Sequence, residues 1–416
     1  MRSICFLQLL ALISFTVSVM DADDKLNESE AVREIEQLGG RVIRDDKLPD
    51  HPVIQIDLAG NEKLNDELMR FLRPFTSLKR LSLGRTQVSD AGLQEIAGLT
   101  TLTSLDLYGN GVTDAGLKTI RNLTNLTRLY LGPNKVTELG WKELAELKDL
   151  TTLEMSHSKM KVEGLRHIGT IQSLTVLDIS HVNITDVGLK ELSELNNLTT
   201  LSLTNTEITD DGVRLVGNLK SLTWLAMANT NVTNAGIQEL GRLRNLHLLD
   251  ISNTGITDDS LKHVSELKNL TRLGLANTVI TDDGLSHIGE LENLTFLRLA
   301  HTNITDVGLK KIRRLKNLTT LDICNTTLTD EGMEYIGELQ SLTTLDIPGK
   351  EITDDGLQHL VGLKNLRSLR IEEMGSFTER GLQDLRDAQP DLKIHRTRPG
   401  RSSLRGRRPI LTQNPS

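Results

Sequence analysis

Two carboxylate and histidine pairs sit one 24-residue step apart in the sequence: Glu154 with His157, then Asp178 with His181. If successive units stack as neighbouring strands, equivalent positions lie about 4.8 Å apart, and two imidazoles with two carboxylates are donor types that hold Zn²⁺. Repetition also builds such ladders without a metal, so a solvated rim and no metal is the simpler expectation. Aspartate pairs recur in the same way, as Asp210-Asp211, Asp258-Asp259, Asp282-Asp283 and Asp354-Asp355. They could line up for Ca²⁺, but acids at helix N-termini account for them, and no Asp/Asn-rich loop with an interposed glycine accompanies them. Cys324 has no His or other base at the strand positions beside it, so it lacks the activating partner a nucleophile needs. No Gly-x-Ser-x-Gly, His-Glu-x-x-His or phosphate-loop segment occurs. These residues point to a binding protein with no cofactor rather than to an enzyme.

The aromatic residues are more informative. Tyr108, Tyr130, Trp224 and Phe296 fall at positions 3, 5 or 7 of a repeated unit, the positions expected on an exposed sheet face. They form two groups with arginine, the composition of binding hot spots. The first is Arg80, Tyr108, Arg128 and Tyr130. The second is Trp224, Leu248, Arg272, Phe296 and Arg298, with Ala226, Ala228, Gly274, Ala276 and Ala300 expected to make a shallow apolar floor between them.

The unit that must position these side chains is explicit. Stepping by 24 from Leu78 lands on leucine through Leu366, thirteen registers without an insertion, and position 4 is leucine from Leu81 to Leu369. Apolar residues at 4 and 6 alternate as in a short strand, which turns positions 3, 5 and 7 to the other face. A turn follows, often Asn-Thr, and the threonine is expected to point inward and satisfy backbone groups. Ile-Thr-Asp-x-Gly-Leu, as in Ile184 to Leu189, then reads as a helix N-cap before a 3.6-residue period. Position 9 departs to Asn110, Asn134, Ser158, Val182, Lys350 and Met374, and Lys159 to Val162 loses the Thr-Asp cap, so these turns are expected to be less regular.

The pattern Leu-x-x-Leu-x-Leu-x-x-Thr-x-Ile-Thr-Asp-x-Gly-Leu resembles the leucine-rich repeat in a 24-residue form. It is similar to repeats of exported bacterial proteins, especially those abundant in planctomycetes, and more distantly to ribonuclease-inhibitor-like and F-box-associated repeats. The resemblance implies an α/β right-handed solenoid, a curved horseshoe with a parallel sheet on the concave face and short helices on the convex face. It also implies protein partners. Adaptor duty in ubiquitin ligation is disfavoured, because no F-box-like helical segment precedes the repeats. Stacking physics gives the same architecture, since a strand and helix of this length cannot bury their own apolar face.

Composition bounds the rest. Aromatics are only 3% of the 416 residues, so the core must be aliphatic. The net charge is −8; removing Arg2 and the six arginines of residues 396–416 leaves −15 for residues 21–395, a poor binder of bare nucleic acid. Residues 1–20 read as an export signal with an apolar run from Ile4 to about Val17. No later segment could span a membrane, and the expected location is periplasm, cell surface or outside. Residues 21–52 are expected to cap the solenoid with a helix, Glu28 to Leu38, and a strand, Arg41 to Arg44; residues 53–395 hold about 14 repeats. Residues 396–416 read as a basic, disordered tail that could touch an anionic surface. A regular cell-envelope or matrix component with no discrete ligand is the alternative function. Cys5 lies in the signal, so disulfides do not hold the fold, and whether Cys324 pairs between chains is left open. Asn-x-Ser/Thr sites such as Asn122, Asn197, Asn269, Asn293 and Asn317 echo the repeat.

Overall fold

Leu222, Leu225 and Met227 of one strand and Ile208, Val213, Val216 and Leu219 of the turn and helix before it lose all or nearly all of their exposure. Each such burial is worth roughly 1.5–3 kcal/mol, but a single unit supplies only part of the pocket, so the units must stack. The computed structural model describes residues 26–372 and 375–397; the expected signal and all but the first two residues of the basic tail lie outside them. Among the described residues, sixteen strands form one open sheet in sequence order. Pairing is parallel and in register, Trp224 beside Leu248 and Arg272 beside Phe296, except that Arg41–Arg44 runs antiparallel to Val53–Asp57. Short helices such as Asp210–Val216 and Asp282–Ile288 return the chain outside the sheet, which makes a right-handed solenoid with the sheet on its concave face.

Both ends are closed. The helix Glu28–Gln37, begun by a capping box of Asn27 and Glu30, buries Ala31 and Ile35 over the first coil. At the other end stand the helix Glu379–Ala388 and the strand Lys393–Thr397. Gln389 donates its side-chain amide to the carbonyls of Leu360 and Leu363 at 2.8 and 3.2 Å. The last strand takes in Arg396 and Thr397, two residues past the expected start of the tail, and Arg396 pairs with Glu379 at 2.5 Å.

The turn residues have separate duties. Position 8 adopts positive φ at Arg85, Gly109, His157, His181, Asn205, Asn229, Asn253, Asn277, His301 and Asn325. Asparagine and histidine tolerate that left-handed backbone better than most side chains. Threonine at position 9 is buried as expected and bonds within its own turn, Thr206, Thr254 and Thr278 each donating to a carbonyl three residues back at 2.6 Å. Asn110 and Asn134 do not loosen their turns. Asn134 donates to Leu131 at 3.0 Å and also reaches the preceding coil, to the Leu107 carbonyl at 2.9 Å. Asn197, Asn269, Asn293 and Asn317 likewise spend their amides on carbonyls of the preceding coil.

The Thr-Asp-x-Gly motif proves to be a clamp between coils. Thr209 caps its helix, and its backbone N–H and hydroxyl both donate to the carboxylate of Asp186 in the preceding coil, at 2.9 and 2.6 Å. The same pair recurs from Ser89 with Asp66 to Thr378 with Asp354. Glycine at position 15 makes room for it: a Cβ at Gly212 would lie 2.3 Å from the Asp186 oxygen. At Gly236 and Gly284 too, the equivalent carboxylate oxygen is the nearest atom to the added Cβ. The clamp fails where the motif fails, at Lys161, which has no hydroxyl, and at Thr185, which faces Val162. Val162→Asp is therefore expected to stabilise the chain by about 1–2 kcal/mol, because Thr185 and Gly188 already provide the donors and the space. Denaturant unfolding measures this, and no gain, or a loss, would refute it.

Candidate functional site on the concave face

The four position-3 side chains Trp224, Leu248, Arg272 and Phe296 stand on four consecutive strands, in direct register and half-buried. Strand spacing places the first and last roughly 14 Å apart. The Arg272 guanidinium lies over the Phe296 ring, 4.3 Å from its centroid, a cation–π contact. The floor is less apolar than expected. Ala276 and Ala300 pack with Cys324, but the space beside Gly274 is filled by the Asp250 carboxylate, which accepts from Ser252 N–H and Oγ–H at 3.1 and 2.7 Å.

Arg298 was expected to face a ligand, and the structure turns it to an internal partner instead. It pairs with buried Asp322 at 3.3 Å, as Arg370 pairs with buried Asp346 at 3.3 Å. Asp322, Cys324 and Asp346 form the one cluster of ligand-type atoms among the described residues. Two arginines already answer its acids. Burial first, then Asp322, Asp346 and Glu372, push the Cys324 thiol far up, the opposite of what a nucleophile or thiolate ligand requires. Cys324 is 3% exposed, which shields it from pairing with another chain.

The first group is assembled differently from the expectation. Arg80 and Arg128 are exposed at position 3. Tyr130 is half-buried at position 5, its pKa raised by burial and by Glu154 against the opposing pull of Arg128. Tyr108 lies against Gly132 of the next coil, where a Cβ would meet its ring at 2.7 Å, and it is covered by Arg85, 5.5 Å from its centroid. Arg85 was missed because it sits on the turn at position 8; the Gly/Asn/His habit of that position was the available signal.

Glu154, His157, Asp178 and His181 are not gathered into a metal cluster. The two imidazoles stack face to face, 4.0 Å between centroids and 13° from parallel. In-plane lone pairs of parallel rings do not converge on one ion, so the zinc geometry considered from spacing is not formed. Burial, then the neighbouring His157, lowers the pKa of His181, which favours its neutral imidazole. Two open grooves lie elsewhere, one of about 630 Å³ lined by Arg121, Lys142 and Glu143, the other of about 550 Å³ lined by Leu38, Asp57 and Lys63.

Comparison with known proteins agrees with this geometry. Leucine-rich-repeat family models match residues 100–160, and residues 76–97, 170–193 and 194–217; a model of Zer-1-like leucine-rich repeats matches residues 237–360. The chain belongs to the leucine-rich-repeat proteins. Its fold is similar to that of an internalin, InlF, of Listeria monocytogenes, at 26% identity over 82% of this chain and 93% of the other, with a TM-score of 0.59. A leucine-rich-repeat protein of Leptospira interrogans is similar at 21% identity, covering 82% and 94%, with a TM-score of 0.53. No curated protein matches the chain. No helix among the described residues is long and apolar enough to cross a membrane.

Proposed function

We propose that the chain is an exported, non-enzymatic recognition module that holds a protein ligand on its concave sheet face. The observation that carries this reading is the ladder of Trp224, Leu248, Arg272 and Phe296. Tryptophan and arginine dominate binding energy when clustered, and here they stand with Leu248 and Phe296 on the sheet face turned away from the leucine core. Export rests on the apolar run inside residues 1–20. The repeat fold, typical of protein-binding modules, supports the class of partner.

The test is a pull-down from the organism's own cell-envelope extract with the wild-type chain and Trp224→Ala/Phe296→Ala. A partner captured by the wild type should be reduced at least about tenfold in the double variant, the effect of two hot-spot truncations. Unchanged melting of the variant is the folding control. Equal capture by both chains would overturn the concave-face reading, and self-association without any partner would favour a structural cell-envelope component.

A further inference from the structure

Resting on that reading of the concave face, we propose that Arg272 recognises a carboxylate that the protein partner carries beside a large apolar side chain. Arg272 occupies the middle of the ladder, with Leu248 in register on one side and Phe296 on the other. Its guanidinium has one face on the phenyl ring, and a stacked guanidinium keeps its in-plane N–H edge for an oxyanion.

What sets Arg272 apart is partial burial without an ion-pair partner. Arg298 and Arg370 are answered by Asp322 and Asp346. Arg80 and Arg128 are exposed to water. Arg272 is half-buried, and none of the ion pairs within 4 Å among the described residues includes it. Asp250, on the neighbouring strand, turns its Oδ1 to Ser252 instead. Burial accordingly lowers the pKa of Arg272, and no carboxylate raises it again. A charge that has lost part of its water and found no partner is the position at which a bidentate carboxylate binds best.

The neighbours state the rest of the recognition. Leu248 and Trp224 stand one and two strands away, about 5 and 10 Å, within reach of a side chain next to the acid in a peptide. A branched alkyl group between the arginine and the indole suits an apolar side chain better than a sugar ring, which favours a protein over an acidic polysaccharide.

The probe is a phage-displayed random dodecapeptide library, panned on the whole chain and on Arg272→Glu, Arg272→Lys and Trp224→Ala, each checked for unchanged melting. The wild type is expected to enrich peptides with Asp or Glu beside Leu, Met, Phe or Trp. Arg272→Glu should lose them and enrich Lys or Arg in their place, and Arg272→Lys, which keeps the charge without the planar fork, should bind them about tenfold more weakly. Peptides lost in Trp224→Ala but indifferent to Arg272→Glu would overturn the carboxylate assignment and leave the concave-face reading standing. No enrichment, or peptides indifferent to every variant, would overturn both. Polygalacturonate that binds through Arg272 and displaces the peptides would assign the anion to a polysaccharide and overturn the protein partner.

Discussion

Truncating Trp141 to alanine is expected to destabilise the chain by about 4 kcal/mol and to split denaturant unfolding into two steps. Trp141 is fully buried and occupies position 16, which is leucine in most other units. Its indole packs across a coil boundary, where a Cβ on Gly164 would lie 2.9 Å from the ring and 3.0 Å from Met160. This is the stretch where the Thr-Asp clamp is missing, so on the helix side apolar contact takes its place beside the strand pairing of the sheet and the Lys161–Glu138 ion pair. Each coil of a solenoid touches only its neighbours, and weakening one boundary uncouples the two sides. Trp141→Leu should cost far less, below about 1.5 kcal/mol, because the indole N–H is buried with no acceptor among the described residues. Chemical denaturation followed by circular dichroism and by fluorescence of Trp224 checks this. Coincident single transitions in Trp141→Ala, with a loss under about 1 kcal/mol, would refute it.

The second large effect concerns glycine. Gly332→Ala is expected to cost about 3 kcal/mol, since its Cβ would lie 2.2 Å from the Asp306 oxygen. The carboxylate must then leave the Thr329 N–H and hydroxyl, which it holds at 3.0 and 2.8 Å. Asp306→Ala alone loses the same two bonds. Once the carboxylate is gone, however, the alanine at 332 meets nothing closer than Leu309 at 3.2 Å. The double variant should therefore cost less than the sum of the singles by about 1–2 kcal/mol, the signature of a direct coupling. Strict additivity would dispose of the clamp. Acid should act in the same direction. Bonds from Thr378 hold the Asp354 carboxyl below its usual range, so the stability it contributes is complete above about pH 4 and fades as the pH falls through the lowered value.

The repeat, its strand and helix phases and the inward threonines were legible in the linear pattern, because hydrophobic period reports burial locally. Leu225 and Leu249 could be placed in the core without any knowledge of their neighbours. The aromatic ladder was legible too, since in-register stacking follows from an unbroken 24-residue step. The split between Arg272 and Arg298 was not. Both are arginines on the same sheet face, two positions apart in the unit, yet one stacks on Phe296 and the other pairs with Asp322. Likewise His157 and His181 were in the right place for a shared ion, but their ring planes are parallel. The Asp-to-Thr clamp joins residues 23 apart, a distance at which spacing gives proximity but no direction. Periodicity settles which face a side chain occupies; the atom it meets there depends on rotamer, turn conformation and the neighbouring coil, and these exist only once the coils are stacked.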